Sequence, residues 1–307
     1  MERRILGKTG LQVSPLGFGG APVGFLETEQ KAVATILNEL LDQGVNLIDT
    51  AARYDGSEEM IGKTISHRRD DYVLVSKCGH AMDGVKGAAW SEDVILNTVD
   101  RALRRLQTDH LDVMLLHTCD FETLQRGEAV GALIKAQKTG KIRFLGFAGD
   151  NASASYAAGL KDISVIETSI NICDQANIDH VLPVCRENNV GVLSKRSIAN
   201  AAWKGAANQE GMYINYAENY AQRLAKMGLA PQDLGFGADD WPEIALRFTL
   251  SQPGLHCAIV GTTKASSVAT NLEAAGKGPL PDDTIKKIRA AFQLAESASG
   301  GNWSGLQ

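Results

Sequence analysis

Short apolar runs punctuate this chain, and each is followed by a longer stretch with helical spacing. Eight such runs stand out: "PLGFGG", "VNLIDT", "YVLVSK", "LDVMLLHT", "IRFLGFAG", "ISVIETSIN", "VGVLSKRS" and "CAIVGTT". Most lack polar alternation, as strands do when both faces are covered. Between them lie amphipathic stretches. "ETEQKAVATILNELLDQG" sets Ala32, Ile36, Leu40 and Leu41 on one side and ends before Gly44. "SEDVILNTVDRALRRLQ" opens on Ser91, an N-cap residue, with acids in its first turn. "FETLQRGEAVGALIKAQKTG" reads as one helix closing on Gly140, and "DDWPEIALRFTLSQPG" has Pro242 near its start, where proline is tolerated. A further helix, "DDTIKKIRAAFQLAES", follows the last run.

Strands alternating with helices predict βα units and a parallel sheet. Eight units without a linker predict one closed (β/α)8 barrel, a single domain over residues 1–307. A doubly wound sheet is the alternative, but "GFGGAPVG" lacks the G-x-G-x-x-G spacing that such a fold usually carries after its first strand. The segment 200–240, after the seventh strand, is long for a connecting loop. Its part "AENYAQRLAKMG" looks helical. It is read either as a lid or substrate wall on the strand C-terminal side, or as a plain insertion.

Composition narrows the function classes. The chain has 307 residues, 44% hydrophobic, and a net charge of −5. That charge gives no electrostatic reason to expect nucleic acid or an anionic membrane as partner. No apolar run approaches the roughly 18 residues of a membrane span, and "MERRILGKTG" lacks the apolar core of a signal peptide. A cytoplasmic location is expected. Five cysteines, an odd number without a C-x-x-C pair, argue for reduced thiols.

Barrel enzymes carry their reactive groups at the C-terminal ends of strands. The second run ends on Asp49 with Tyr54 in the next loop, the third on Lys77 and the fourth on His117. A lone strand-end charge usually marks only the return to solvent, and a lone rim histidine is usually just hydrogen-bonded. Three consecutive strands delivering Asp, Lys and His to one rim beside a tyrosine is a different matter.

With these residues the chain resembles the aldo-keto reductases over essentially its whole length. "ILGKTGLQVSPLGFGG" is similar to their N-terminal β-hairpin and first strand, "NLIDTAARYDGSEEMIGK" to their aspartate–tyrosine signature, and "LLH" and "IVGTTKASSVATNLEAA" to their fourth strand and cofactor end. The resemblance implies a catalytic tetrad of Asp49, Tyr54, Lys77 and His117, and reduction of aldehydes and ketones with NADPH. The chemistry fits these residue types. A phenol near pKa 10 is a poor acid at neutral pH, and a nearby ammonium lowers it. Lys77 would be that ammonium, Asp49 its counter-charge, and His117 a donor that orients the carbonyl oxygen.

For the cofactor, the resemblance implies Gly19 and Gly20 after the first strand, Asp150 and Asn151 after the fifth, and Glu167 on the sixth, where the family usually has glutamine. A carboxylate accepts from an amide NH2 but donates only when protonated. Lys195, Arg196 and Ser197 end the seventh strand, where either cation could meet the pyrophosphate. Gly261, Thr262, Thr263 and Lys264 open the last barrel helix, whose N–H groups suit an anion. Asn271 matches an adenine contact, while Ser267 stands where the family often has arginine. NADPH is expected, with NADH as the alternative. Phe25, Trp90, Phe121 and Trp203 are candidate substrate walls, with Tyr213 and Tyr216 in the insertion.

Two other functions compete. A Schiff-base aldolase would use Lys77 as nucleophile, but leaves the Asp49–Tyr54 pair unused. A non-catalytic nicotinamide-nucleotide-binding regulatory protein would need no tetrad. Cys78, His80, Cys119 and Cys173 all follow strand ends, yet no ligand pair apart from C-x-H has metal-site spacing, so no metal is expected. The partner is a small carbonyl or alcohol compound of unspecified identity. Reaction direction and oligomeric state are unreadable.

Overall fold

The computed structural model describes residues 1–26, 28–205, 207 and 213–306, without the side chains of 213, 214 and 216, so Tyr213 and Tyr216 as wall residues lie outside the described residues. The chain opens with a hairpin of β1 (Arg4–Ile5) and β2 (Gln12–Val13). All eight apolar runs are strands: β3 (Leu16–Gly19), β4 (Leu47–Asp49), β5 (Val73–Cys78), β6 (Leu111–His117), β7 (Ile142–Ala148), β8 (Ile163–Ser169), β9 (Gly191–Lys195) and β10 (Cys257–Val260). They pair in parallel in chain order, and β10 returns to β3 to close the barrel.

Side-chain parity fixes what faces inward. Leu47, Val75, Val113, Leu115, Val165 and Leu193 form a buried cluster inside the barrel. Counting two residues on from each strand's last inward apolar side chain reaches Asp49, Lys77, His117, Glu167 and Lys195. The polar ends of five strands therefore converge at the top of the barrel because their apolar residues converge below. Leu6, Leu11 and Val13 of the hairpin join the same inner cluster and close its bottom. The hairpin's Gly7 has φ +51, and a Cβ there would stand 2.3 Å from the Gly191 nitrogen.

The outer layer is α1 (Ala21–Phe25), α2 (Gln30–Asp42), α3 (Ser57–Ile65), α4 (Glu92–Leu106), α5 (Phe121–Arg126), α6 (Glu128–Lys138), α7 (Asn151–Gly159), α8 (Ala176–His180), α9 (Leu182–Glu187), α10 (Tyr213–Met227), α11 (Trp241–Leu250), α12 (Ala265–Gly276) and α13 (Asp282–Ala298). Ser91 caps α4, its Oγ accepting from the Val94 N–H at 3.4 Å. The single helix expected over 121–140 is two helices, broken at Gly127, which sits at φ 74 and leaves a left-handed turn between them.

The helical reading of the insertion holds in α10, which buries Tyr220 and Leu224 against Trp241, Ile288 and Phe292. After α13 the chain turns back to the barrel. Trp303 packs on Phe292, ring centroids 5.1 Å apart, and under the Arg223 guanidinium. Among the described residues no helix is long and apolar enough to cross a membrane.

Candidate active site

The loop that carries Tyr54 is pinned from both ends. Ser57 Oγ donates to the Gly20 carbonyl at 3.0 Å and shares a hydrogen bond with Thr50 Oγ1 at 2.9 Å. The adjacent Glu58 is buried, takes a 2.8 Å bond from Ser76 on β5, and faces Arg101, which donates to the Ala52 carbonyl. From the other side α1 presses on the loop. A Cβ on Gly24 would stand 2.6 Å from the Asp55 carbonyl oxygen, so only glycine permits this approach. The result sets Phe25 edge-on to Tyr54 at 5.2 Å between centroids. Asp49 and Tyr54 stand out in the sequence of this stretch, whereas Ser57 and Glu58 do not. Their signal was a polar pair at the start of an amphipathic helix, where ordinary helix chemistry explains it equally well.

Beneath Tyr54 lies a buried charge cluster. The Lys77 ammonium is 2.5 Å from Asp49 Oδ1, 3.1 Å from the Thr50 carbonyl it donates to, and 3.2 Å from Glu167 Oε2. Its nitrogen is 5.3 Å from the Tyr54 ring centroid. Burial alone would lower the Lys77 pKa, but Asp49, Glu167 and Tyr54 outweigh it and hold the ammonium above its ordinary range. Burial, then the like charge of Glu167, push Asp49 well above the usual carboxylate range against the pull of Lys77. Lys77 thus keeps its proton.

His117 faces Tyr54, ring centroids 6.0 Å apart. Burial first, then Lys77, His80, Lys195 and Arg53, drive its pKa well below the ordinary histidine value, so its imidazole is neutral at pH 7. The His80 ring bonds the His117 carbonyl at 2.8 Å and packs on Trp90 at 4.7 Å.

Asp49, Tyr54, His80 and His117 open onto a cleft of about 720 Å³. Gly19, Phe25, Glu167, Lys195, Arg196 and Ser197 line it, together with the Gly261–Lys264 loop. A Cβ on Gly261 would meet the Pro22 ring at 2.7 Å, so this loop crosses close above α1. Arg53, Asn200, Ala201 and Lys204 also line the cleft and went unrecognised in the sequence. Arg53 sits in the loop after β4, and the other three in a kinked 3-10 turn over Ala199–Lys204, whose direction no local pattern encodes.

Other expected positions lie elsewhere. Asp150 is fully buried and accepts bonds from Thr168, the Ser169 N–H and Asn177, with Lys195 at 2.9 Å. Burial would raise it, but Lys195 and the Ser169 N–H prevail and hold it below the ordinary carboxylate range. Asn151 exchanges hydrogen bonds with Gly305 of the C-terminal tail, and Arg196 donates to the Leu306 carbonyl. Trp90, Phe121 and Trp203 do not line the cleft: Trp90 packs on His80, Phe121 on Tyr156 and Trp203 on Trp241. Gly20, Ser267 and Asn271 also lie outside its lining, the latter two on α12 beyond the Gly261–Lys264 loop. Among the described residues no cluster of three or more His, Cys, Asp or Glu side chains is arranged to hold a metal ion.

A sequence model of the aldo/keto reductase family matches residues 15–293. The chain belongs to the aldo-keto reductase family. Similar curated relatives of this aldo-keto reductase include L-galactose dehydrogenase from Arabidopsis thaliana, 28% identical with 95% of each chain covered. Another is the oxidoreductase YqkF from Bacillus subtilis, 28% identical over 94% of this chain and 96% of the relative. Among solved structures, the holo form of the aldo-keto reductase AKR11C1 from Bacillus halodurans superposes with a TM-score of 0.78 at 26% identity, covering 95% of this chain and 96% of that one.

Proposed function

We propose that this aldo-keto reductase interconverts an aldehyde or ketone and its alcohol with a nicotinamide cofactor, NADPH in preference to NADH, in the cytoplasm. One observation carries the reading. A buried ammonium, locked in its charged form, sits 5.3 Å from the ring of a tyrosine that lines the same cleft as a neutral histidine.

The cleft suits a dinucleotide in size and charge. Lys195, Arg196, Lys204 and Lys264 line it together with Asp49, Tyr54 and His117, and α12 starts directly after Lys264. Gly261 to Lys264, with the α12 N–H groups, would hold phosphate. Ser267 and Thr262 offer hydroxyls to a 2′-phosphate, and Asn271 an amide to adenine. When bound, the nicotinamide supplies or accepts the hydride.

The protein's own groups handle the proton. Tyr54 gives its phenolic proton to the carbonyl oxygen, or takes it from the alcohol in reverse. Lys77 stabilises the phenolate that results, and Asp49 holds Lys77 in place. Neutral His117 donates to the same oxygen and orients it. A Schiff-base role for Lys77 would need a neutral amine, which its carboxylate neighbours oppose. Phe25 is the wall residue that the substrate meets beside Tyr54.

The test is turnover of a panel of aldehydes, ketones and sugars, L-galactose included, run in both directions with NADP(H) and NAD(H). Turnover of at least one substrate, faster with NADP(H), is expected. Cofactor binding without turnover of any member would favour a regulatory role.

A further inference from the structure

We propose that Asp49 and Glu167 share one labile proton beside Lys77, and that the pair releases it when the cleft takes up a nicotinamide in its oxidised, cationic form. Glu167 would thereby set the balance of affinity between oxidised and reduced cofactor. This inference rests on the nicotinamide reading above.

The charge count forces the question. Two carboxylates lie 2.5 Å and 3.2 Å from one ammonium, and all three side chains are at most 5% exposed. Fully ionised, the cluster carries one negative charge too many in a site with little water, which is costly. Among the described residues, Glu167 Oε2 has its ion pair with Lys77 at 3.2 Å and no hydrogen bond. His117, which also faces Tyr54, is held neutral at pH 7 and adds no charge. Lys195, from β9, is 2.9 Å from Asp150. Arg196 donates to Ser169 and to the tail. Arg53 is exposed at the mouth of the cleft. Two carboxylates crowded at one site resolve such a conflict by keeping one proton between them. The raised Asp49 agrees with a neutral cluster of one ammonium, one carboxylate and one carboxylic acid.

On the proposed mechanism the nicotinamide would deliver hydride to the carbon bonded to the oxygen that Tyr54 protonates, which would bring its ring into the part of the cleft next to this cluster. Glu167 and Tyr54 line the same cleft. A cationic ring there supplies the positive charge that the proton otherwise provides. Its binding therefore expels the proton to solvent: the cluster goes from neutral to −1 as the ring brings +1, and charge balances. The uncharged reduced ring has no such effect.

Calorimetric titration of the full chain with NADP+ and NADPH, and with NAD+ and NADH, tests this at pH 7 in two buffers of different ionisation enthalpy. The 2′-phosphate contributes equally to both forms and cancels in the difference. In the wild type, the oxidised form should release up to one proton more than the reduced form. In Glu167→Gln that excess should vanish, and the ratio of oxidised to reduced Kd should rise about tenfold. Equal proton release in the wild type would overturn the proposal whether or not the variant folds, as would an excess that survives in the variant. Failure of every nucleotide to bind would refute the cofactor reading too, whereas binding of both forms with equal proton release refutes only this inference.

Discussion

Lys77 is a buried cation that owes its charge to its neighbours. Replacing it with methionine strands Asp49 and Glu167 together with no counter-charge. Lys77→Met should therefore lose roughly 3–5 kcal/mol of stability at pH 8. The loss should shrink toward pH 5, because the stranded carboxylates can then take up protons. Denaturant unfolding at the two pH values measures this, and a pH-independent loss would contradict it. Asp174 offers a second titration. It is buried, accepts from Tyr220 at 2.9 Å and from the Leu306 N–H at 3.1 Å, and burial first, opposed by that N–H, carries it up to about 6. Its folded pKa exceeds the unfolded value of 3.8, so the wild type loses stability as pH rises through about 6. Asparagine does not ionise. Asp174→Asn should gain about 1.4 kcal/mol on the wild type between pH 5 and pH 8, and a constant difference across that range would refute the assignment. At this scale the sequence was half legible. Asp49, Lys77 and His117 were readable because each ends an apolar run. The partner of Glu167 was not, because Lys77 lies across the barrel and 90 residues away along the chain is no guide to a 3.2 Å contact.

Strands were the most readable elements. Each of the eight apolar runs is a barrel strand, since burial on both faces leaves a signal that needs no partner to recognise. Helix boundaries were less so. Gly127 divides the expected helix over 121–140 because its φ of 74 starts a left-handed turn, and a glycine in a helical pattern carries no mark of which conformation it adopts. The turn of the tail back onto Asn151 and Arg196 had no local signal at all, because it is fixed by contacts 110 to 154 residues distant. The short α1 helix matters beyond its length. Gly24 lets it touch the backbone of Tyr54 and Asp55, with a Cβ at 2.8 Å from the Tyr54 carbonyl carbon were one present. Gly24→Val should push the Tyr54 loop off position and cut kcat/KM about 100-fold. Far-UV circular dichroism should stay that of the wild type. Unchanged turnover would show that α1 does not set the position of Tyr54.

For the molecule as a whole, the barrel explains the site by parity. Apolar residues fill the inside below, and the next inward positions on β4, β5, β6 and β8 are Asp49, Lys77, His117 and Glu167. The hairpin closes the bottom, α10, α13 and the tail pack on one flank, and the open top is the cleft. The proposed mechanism turns on one tyrosine held over that assembly. Tyr54→Phe removes a single oxygen and leaves the cleft, the charge cluster and the cofactor wall in place. Its turnover of any substrate accepted by the wild type, measured beside its NADPH affinity, is the most direct test. Loss of about 10³-fold in kcat with unaltered NADPH binding is the predicted result. A variant that keeps most of its turnover would contradict the role of Tyr54 as the proton donor.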